Sequence, residues 1–287
     1  MTNVTTRAAS SRGLLAYAHA RIRAAKSRLL TRTDAAPLFA AADVTAVQRA
    51  VAALDVEHPL QRLVRVYATA IRGYRRGEPL LRALLARHEI ENVKLLWRIT
   101  ARHAHREALS PLWLDLGALA TVSIVDAASP RELAERLART PYGGIAATVA
   151  RAHGSDVAAA ELAFDRWVSQ RLLDEARRLP RRESLARRLV ELVVYERDAE
   201  IVRRGAKWYG LTSVSGDVED VAVMRRERLR LCRRAFVGSP FLLAPAVAVI
   251  LLAEEERRAV QALVERRGDV QLDEPLLRAL AGSQIGA

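Results

Sequence analysis

The apolar positions of this chain recur at helical spacing almost from its start. In GLLAYAHARIRAAKSRLL, residues 13–30, Leu14, Ala18, Ile22, Ala25 and Leu29 step by three or four and form one helical face. Arg21 and Arg28 border that face on one side and Lys26 on the other. Their stems can lie along an apolar seam while the charges stay wet. The pattern then repeats as DVTAVQRAVAAL with Asp43 as candidate N-cap, PLQRLVRVYATAIRGYRRG closed by Gly77, and EPLLRALLARHEIENVKLLWRITARHAHREAL. Pro111 and Gly117 mark a break.

A second series begins at Ser129, the predicted N-cap of SPRELAERLART, with Pro130 at the first helical position and Glu132 three residues after the cap. PYGG at 141–144 reads as a turn. AAAELAFDRWVSQRLLDEARRL runs to Pro180, Arg181 reads as a loop residue, and ESLARRLVELVVYERDAEIVRRGAKWYGL extends to a break near Gly216. A third, shorter series holds DVEDVAVMRRERLRLCRRAF, then PFLLAPAVAVILLAEEERRAVQALVERRG to Gly268, and a last amphipathic piece, EPLLRALAG. No run of period-two alternation competes with these signals. The expectation is an all-α chain of three similar helical modules, 13–115, 116–214 and the shorter 215–287, behind a disordered segment 1–12. The repeat is far longer than the roughly 20–50 residues of solenoid units.

Composition supports this. Half of the 287 residues are apolar (51%), 5% are aromatic, and glycine (14) and proline (10) are sparse. That favours a core of Ala, Leu and Val on helices over a turn-rich β fold. The net charge of +13 points to acidic partners: nucleic acid, anionic lipid headgroups or an acidic protein. Of the 46 basic residues only Lys26, Lys94 and Lys207 are lysines. The arginine bias reads as a codon habit, so much of the charge reads as solvated surface. The single cysteine, Cys232, leaves no internal disulfide and no Cys-based zinc site, and suits a reducing compartment. The start, MTNVTTRAASSRG, has no apolar core of a secretory signal. The longest apolar run, 240–253, is shorter than the about 20 residues of a span and contains Pro245, so it is expected to be a buried helix.

Catalytic signatures are missing from the sequence. There is no GxxxxGK[ST], GxSxG or HExxH. His103 and His105 are two apart and diverge on a helix, against a shared metal. Glu254 and Glu256, or Glu196 and Asp198, are also two apart, with no nucleophile nearby, and read as structural acids rather than a general acid and base. The pattern is that of a protein that holds something.

Three acidic–basic clusters interrupt apolar helices: EIENVKLLWR (89–98), ERDAEIVRR (196–204) and EEERR (254–258). On a common frame Glu89, Asp198 and Glu256 anchor them, and three residues on stand Asn92, Ile201 and Ala259. Leu81, Leu85, Asn92, Leu96 and Ile99 share one face, so Asn92 should point inward and find hydrogen bonds. Lys94 and Arg98 project to other sides. Two readings stay open: i,i+4 ion pairs that support each helix, or one acid–base strip presented by each module to a common centre.

Taken together these motifs resemble the C-type subunit family of the bacterial and archaeal V/A-type ATPases, which is related to the d-type subunit of the eukaryotic V-ATPase. The opening motif falls on Tyr17, Ala20, Arg21, Ile22, Arg23, Lys26, Ser27, Arg28, Leu29 and Leu30. The acid-x-x-Asn-x-Lys motif falls on Glu89, Asn92, Val93, Lys94 and Arg98. RTPYGG matches the family's turn, YERDAEIVRRGAKWYGL its second acidic cluster, and PFLLAPAVAVILLAEEER its third. The resemblance covers about residues 13 to 270, and all three lysines lie inside it. Ile201 and Ala259 depart from it, since the family often repeats the asparagine.

The resemblance implies an all-helical funnel of three modules around a pseudo-threefold axis. It implies a non-catalytic rotor component with no cofactor, bound nucleotide, metal or small-molecule substrate. Its partners would be the central stalk subunits and the membrane proteolipid (c-type) ring, at the cytoplasmic face of the membrane. Interface or framework candidates are Tyr17, Arg21, Arg23, Lys26, Arg28, Glu89, Asn92, Lys94, Arg98, Glu196, Asp198, Lys207, Glu254 and Glu256. Two other classes fit the residues: a basic helical nucleic-acid-binding protein, for which no recognisable module or aromatic surface is present, and an enzyme of unknown type.

Overall fold

A computed structural model describes residues 3–29, 46, 59–102, 119, 127–209, 218–239 and 241–265, and within these every regular element is helical. The helices are α1 (Asn3–Ser27), α2 (Pro59–Gly73), α3 (Glu78–Arg102), α4 (Pro130–Leu137), α5 (Gly143–His153), α6 (Val157–Arg177), α7 (Ser184–Tyr209), α8 (Val218–Ala235) and α9 (Ala244–Glu265). Short 3-10 turns, Arg75–Gly77 and Arg181–Glu183, lead into α3 and α7. α1 begins at Asn3, inside the segment expected to be disordered, but the side chains of residues 3–12 lie outside the described residues. So do Asp43, His103, His105, Pro111, Gly117, Gly216, Gly268 and the EPLLRALAG piece.

The chain divides into two compact units: residues 1–78, 179–192 and 222–287 form the first, 79–178 and 193–221 the second. In the first unit α9 packs against α1 and α2, which also pack on each other. α9 is apolar all round from Ala244 to Ala253 and buried throughout that stretch, as a central helix must be. Of the expected face of α1, Ala18, Ile22 and Leu29 are buried and Ala25 is half-buried, while the side chain of Leu14 lies outside the described residues. Ala18 sits where α1 crosses α2 at Gly73, and a β-carbon built on Gly73 would collide with that of Ala18. The crossing therefore requires glycine.

Three boundaries differ from expectation. α2 ends at Gly73 rather than Gly77, because Tyr74 leaves helical backbone and the chain tightens into the first 3-10 turn. α9 begins at Ala244, so Pro245 occupies the first turn, where its missing N–H costs nothing. Arg181 belongs to the second 3-10 turn rather than to a loop.

In the second unit α4 packs on α5, and α5 on α6. The Ser129 cap is present: its hydroxyl accepts from the Glu132 N–H at 3.2 Å, and the Glu132 carboxylate accepts from the Ala128 N–H at 2.8 Å. Pro141 and Tyr142 turn the chain and Gly143 opens α5. A β-carbon there would stand 2.7 Å from the Ala138 backbone. Gly154, at φ 53°, ends α5, and its carbonyl accepts from Trp97 Nε1 at 3.2 Å.

Candidate functional site

α3 is buried on most sides, and of the two residues expected to leave its apolar face Lys94 is buried while Arg98 keeps 40% of its side chain exposed. Asn92 points inward as expected, at 1% exposure. Lys94, expected to project to another side, does so, but into protein. Its ammonium donates to Asp165 Oδ1 at 2.9 Å and Oδ2 at 3.1 Å, and to Glu91 Oε1 at 3.2 Å. With Glu91 Oε2 at 3.0 Å, its three N–H donors thus serve both oxygens of two carboxylates. Arg197 of α7 closes the group, donating to Glu91 at 2.9 Å and Asp165 at 2.5 Å. Two cations and two carboxylates from α3, α6 and α7 form one ring. Burial works against the charge on Glu91, yet Lys94 and Arg197 hold its carboxyl down at about 2.

Around this ring the second unit holds further polar pairs. The Tyr142 hydroxyl donates to buried Glu89, which also accepts from the Leu119 N–H at 3.4 Å. Burial, and then the Glu89 charge, push the Tyr142 hydroxyl far above the usual phenol range. Arg98, half-buried, pairs with Glu161 of α6. Trp97 meets Phe164 edge-on, with centroids 5.3 Å apart.

The first unit holds a different arrangement. Glu254, Glu255 and Glu256 are consecutive on α9 and all buried. Successive residues on a helix diverge by about 100°, so the three reach different partners. Glu254 accepts from the Tyr67 hydroxyl at 2.7 Å, and Glu256 pairs with Arg62 at 2.5 Å, both on α2. Glu255 pairs with Arg225 and, at 3.1 Å, with Arg228 of α8. Burying Glu255 or Glu256 without its arginine would cost several kcal/mol, on the order of 3–5.

The first of the two open readings of the clusters therefore needs correction. Lys94–Glu91 is a pair within one helix, but Asp165, Arg197, Arg62, Arg225 and Arg228 reach across between helices. The second cluster is unlike the others. Glu196 is half-buried, and Asp198 is exposed and accepts from Ser169 Oγ at 2.8 Å. Its register also shifts. Counted from the matching 3-10 turns, Asn92 corresponds to Asp198 and Glu91 to Arg197, rather than Glu89 to Asp198.

The α1 motif faces outward in part. Tyr17 is 61% exposed and Arg21 donates to its hydroxyl at 3.4 Å. Arg28 is exposed as well. Arg23 donates to the Phe236 carbonyl at 3.0 Å, and the Lys26 ammonium lies 4.8 Å from the centre of the Phe236 ring. Lys207 is on α7, its side chain outside the described residues.

The model of the ATP synthase (C/AC39) subunit family matches residues 18–218. The chain belongs to that family. The motifs on α3, α5 and α7 and all of the α1 motif but Tyr17 lie within the match, and the three glutamates of α9 lie beyond it. Among curated proteins none matches the chain. Membership makes this a subunit of the V/A-type ATPase family, and the all-helical fold agrees with it. Among the described residues no helix is long and apolar enough to cross a membrane, and no group of three His, Cys, Asp or Glu side chains is placed to hold a metal.

Sequence reasoning missed Asp165, Arg197, Arg62, Tyr67, Arg225 and Arg228. Asp165 had a signal: it is a charge directly beside Phe164 of the buried series Ala160, Phe164, Val168, Leu172. The arginines had none, being lost among so many others.

Proposed function

We propose that this member of the C/AC39 family is a non-catalytic rotor element, joining the central stalk to the membrane proteolipid ring and carrying torque between them at the cytoplasmic face of the membrane. The observation that carries the reading is the family match across 18–218, joined to helices cross-linked by buried ion networks. A part that transmits torque must resist shear between its helices, and multiply paired buried charges fix helix register. On this reading three related modules surround a pseudo-threefold axis as a funnel that receives the stalk.

The site candidates then divide by burial. Glu89, Asn92, Lys94, Glu254 and Glu256 form framework, whereas Tyr17, Arg21, Arg28 and Asp198 are exposed and available to partners. Charge complementarity at such a surface sets register and specificity more than affinity.

The test is purification of the tagged chain from detergent-solubilised membranes of its own host, with co-purifying chains identified by mass spectrometry. Recovery of the large ATPase subunits, stalk subunits and proteolipid is expected. Arg21→Glu with Arg28→Glu should release them, while Arg131→Glu, on the exposed side of α4, should not. Recovery of nucleic acid instead, from cells expressing those subunits, would favour the basic nucleic-acid-binding alternative.

A further inference from the structure

At one end of the first unit, the turn between α8 and α9 breaks the rule that apolar side chains go inside. Phe236 is buried, but the next residue, Val237, is 88% exposed and Phe241 is 52% exposed. The turn is tied down: the Val237 N–H donates to the Arg234 carbonyl at 3.1 Å, the Leu242 N–H to the Ser239 carbonyl at 3.3 Å, and the Phe241 N–H to Ser239 Oγ at 3.4 Å. The two apolar side chains are turned outward on backbone fixed by these hydrogen bonds.

The turns that meet beside them, at Leu243, carry arginines. Leu243, two residues after Phe241, is the meeting point of both 3-10 turns. Its side chain packs on Gly77, where a β-carbon would lie 2.5 Å from Leu243 Cδ1, and its N–H donates to Glu183 at 2.9 Å. Each turn carries an exposed arginine pair, Arg75–Arg76 and Arg181–Arg182, while the acid between them, Glu183, is buried. On the other flank, Arg23 and Lys26 of α1 bracket Phe236.

We infer that this end of the unit is a docking surface for an anionic lipid bilayer, with Val237 and Phe241 entering the headgroup–acyl boundary and the two arginine pairs binding lipid phosphates. The chemistry favours a bilayer over a folded acidic protein. A protein interface needs roughly 800 Å² per partner with a continuous apolar centre, and two separated side chains do not make one. A bilayer interface asks only for a few inserted apolar groups and nearby cations. Guanidinium forks bind phosphate oxygens in pairs. Arginines presented by two separate turns suit a surface of mobile phosphates better than one fixed ligand.

The experiment is flotation of the full chain with vesicles of phosphatidylcholine alone or mixed with phosphatidylglycerol. The chain should float with the mixed vesicles and not with the neutral ones. Neutralising Arg75, Arg76, Arg181 and Arg182 to Gln should lower retention about tenfold or more, and Val237→Ser with Phe241→Ser should lower it too. Neutralising Arg131, Arg139, Arg151 and Arg166, exposed residues of the second unit, removes the same charge and should change retention less than about twofold. Equal losses from both arginine sets, no effect of the Val237 and Phe241 changes, or preference for polyglutamate over vesicles would each overturn the inference.

A second measurement leaves the cations intact. An environment-sensitive dye on Phe241→Cys, in a chain whose buried Cys232 is changed to Ala, should shift to the blue on mixed vesicles; an unchanged spectrum would also overturn it. The isolated chain suffices for both assays, so this inference and the coupling role can fail separately.

Discussion

The two units neutralise buried charge in opposite ways. In the first, three consecutive carboxylates on α9 reach two neighbouring helices, and the pair formed by Arg228 and Glu255 is almost dry, with both side chains 3% exposed. In the second, four charges from three helices close a ring around Lys94, and one edge is wet, since the Glu91 side chain is 42% exposed. A dry pair gains from Coulomb attraction but carries a large penalty if one partner is lost. A ring with two cations and a wet edge tolerates loss better, because the remaining cation and water share the deficit. The first arrangement therefore acts as a lock on helix position. The second acts as a hub whose strength depends on solvent.

The largest expected effect follows from the dry lock. Glu255→Leu removes the buried carboxylate that Arg225 and Arg228 share and puts an apolar side chain beside Arg228, which should destabilise by about 3–5 kcal/mol, read from urea unfolding. A loss below about 1 kcal/mol would erase the contrast between the units. Lys94→Met removes the centre of the hub but leaves Arg197 on both carboxylates, so about 2 kcal/mol is expected. Lys94→Arg keeps the charge and should still cost about 1–3 kcal/mol, because the planar fork is larger than the ammonium it replaces. A neutral result for Lys94→Arg would mean that the shape of the ring does not explain lysine at this position.

The pH response should separate the two regions further. Glu91 is held at about 2 against its ordinary 4.5, with burial opposing and Lys94 and Arg197 favouring its charge. Its contribution is complete above pH 4.5 and is lost as pH falls through that value toward about 2. The difference in unfolding free energy between the parent chain and Glu91→Gln should shrink over that window. Glu183 is the reverse case: burial raises its carboxyl despite the Leu243 N–H. Its ionised form costs stability, so its effect is unfavourable as pH rises above the ordinary carboxylate range. Glu183→Gln keeps an acceptor for Leu243 without the buried charge, and at neutral pH should alter stability by no more than about 0.5 kcal/mol or raise it. A marked loss would show that the carboxylate charge itself stabilises the start of α9.

Much of this was legible in the residues. The buried face of α1, the inward Asn92, the Ser129 cap and the all-round apolar α9 follow from helical period and capping chemistry. The motif resemblance named the family that the match at 18–218 bears out. The clusters were visible as acids and bases in apolar helices, but their partners were not. Asp165 and Lys94 are far apart in the chain, and no spacing rule links them. The register of the second cluster was misplaced because acidic residues were aligned with each other, whereas the folded helices place Arg197 at the position of Glu91.

By itself, then, the sequence determined which of the described stretches are helical, most of their buried faces and which family the chain joins, because these depend on period, caps and motifs carried within a few turns. Only the tertiary structure decided which acid meets which base, that Lys94 sits between carboxylates, and that two arginine-bearing turns converge on Leu243. Those outcomes depend on which helices pack together, and in a chain whose basic residues are nearly all arginine no local signal marks the few that are buried.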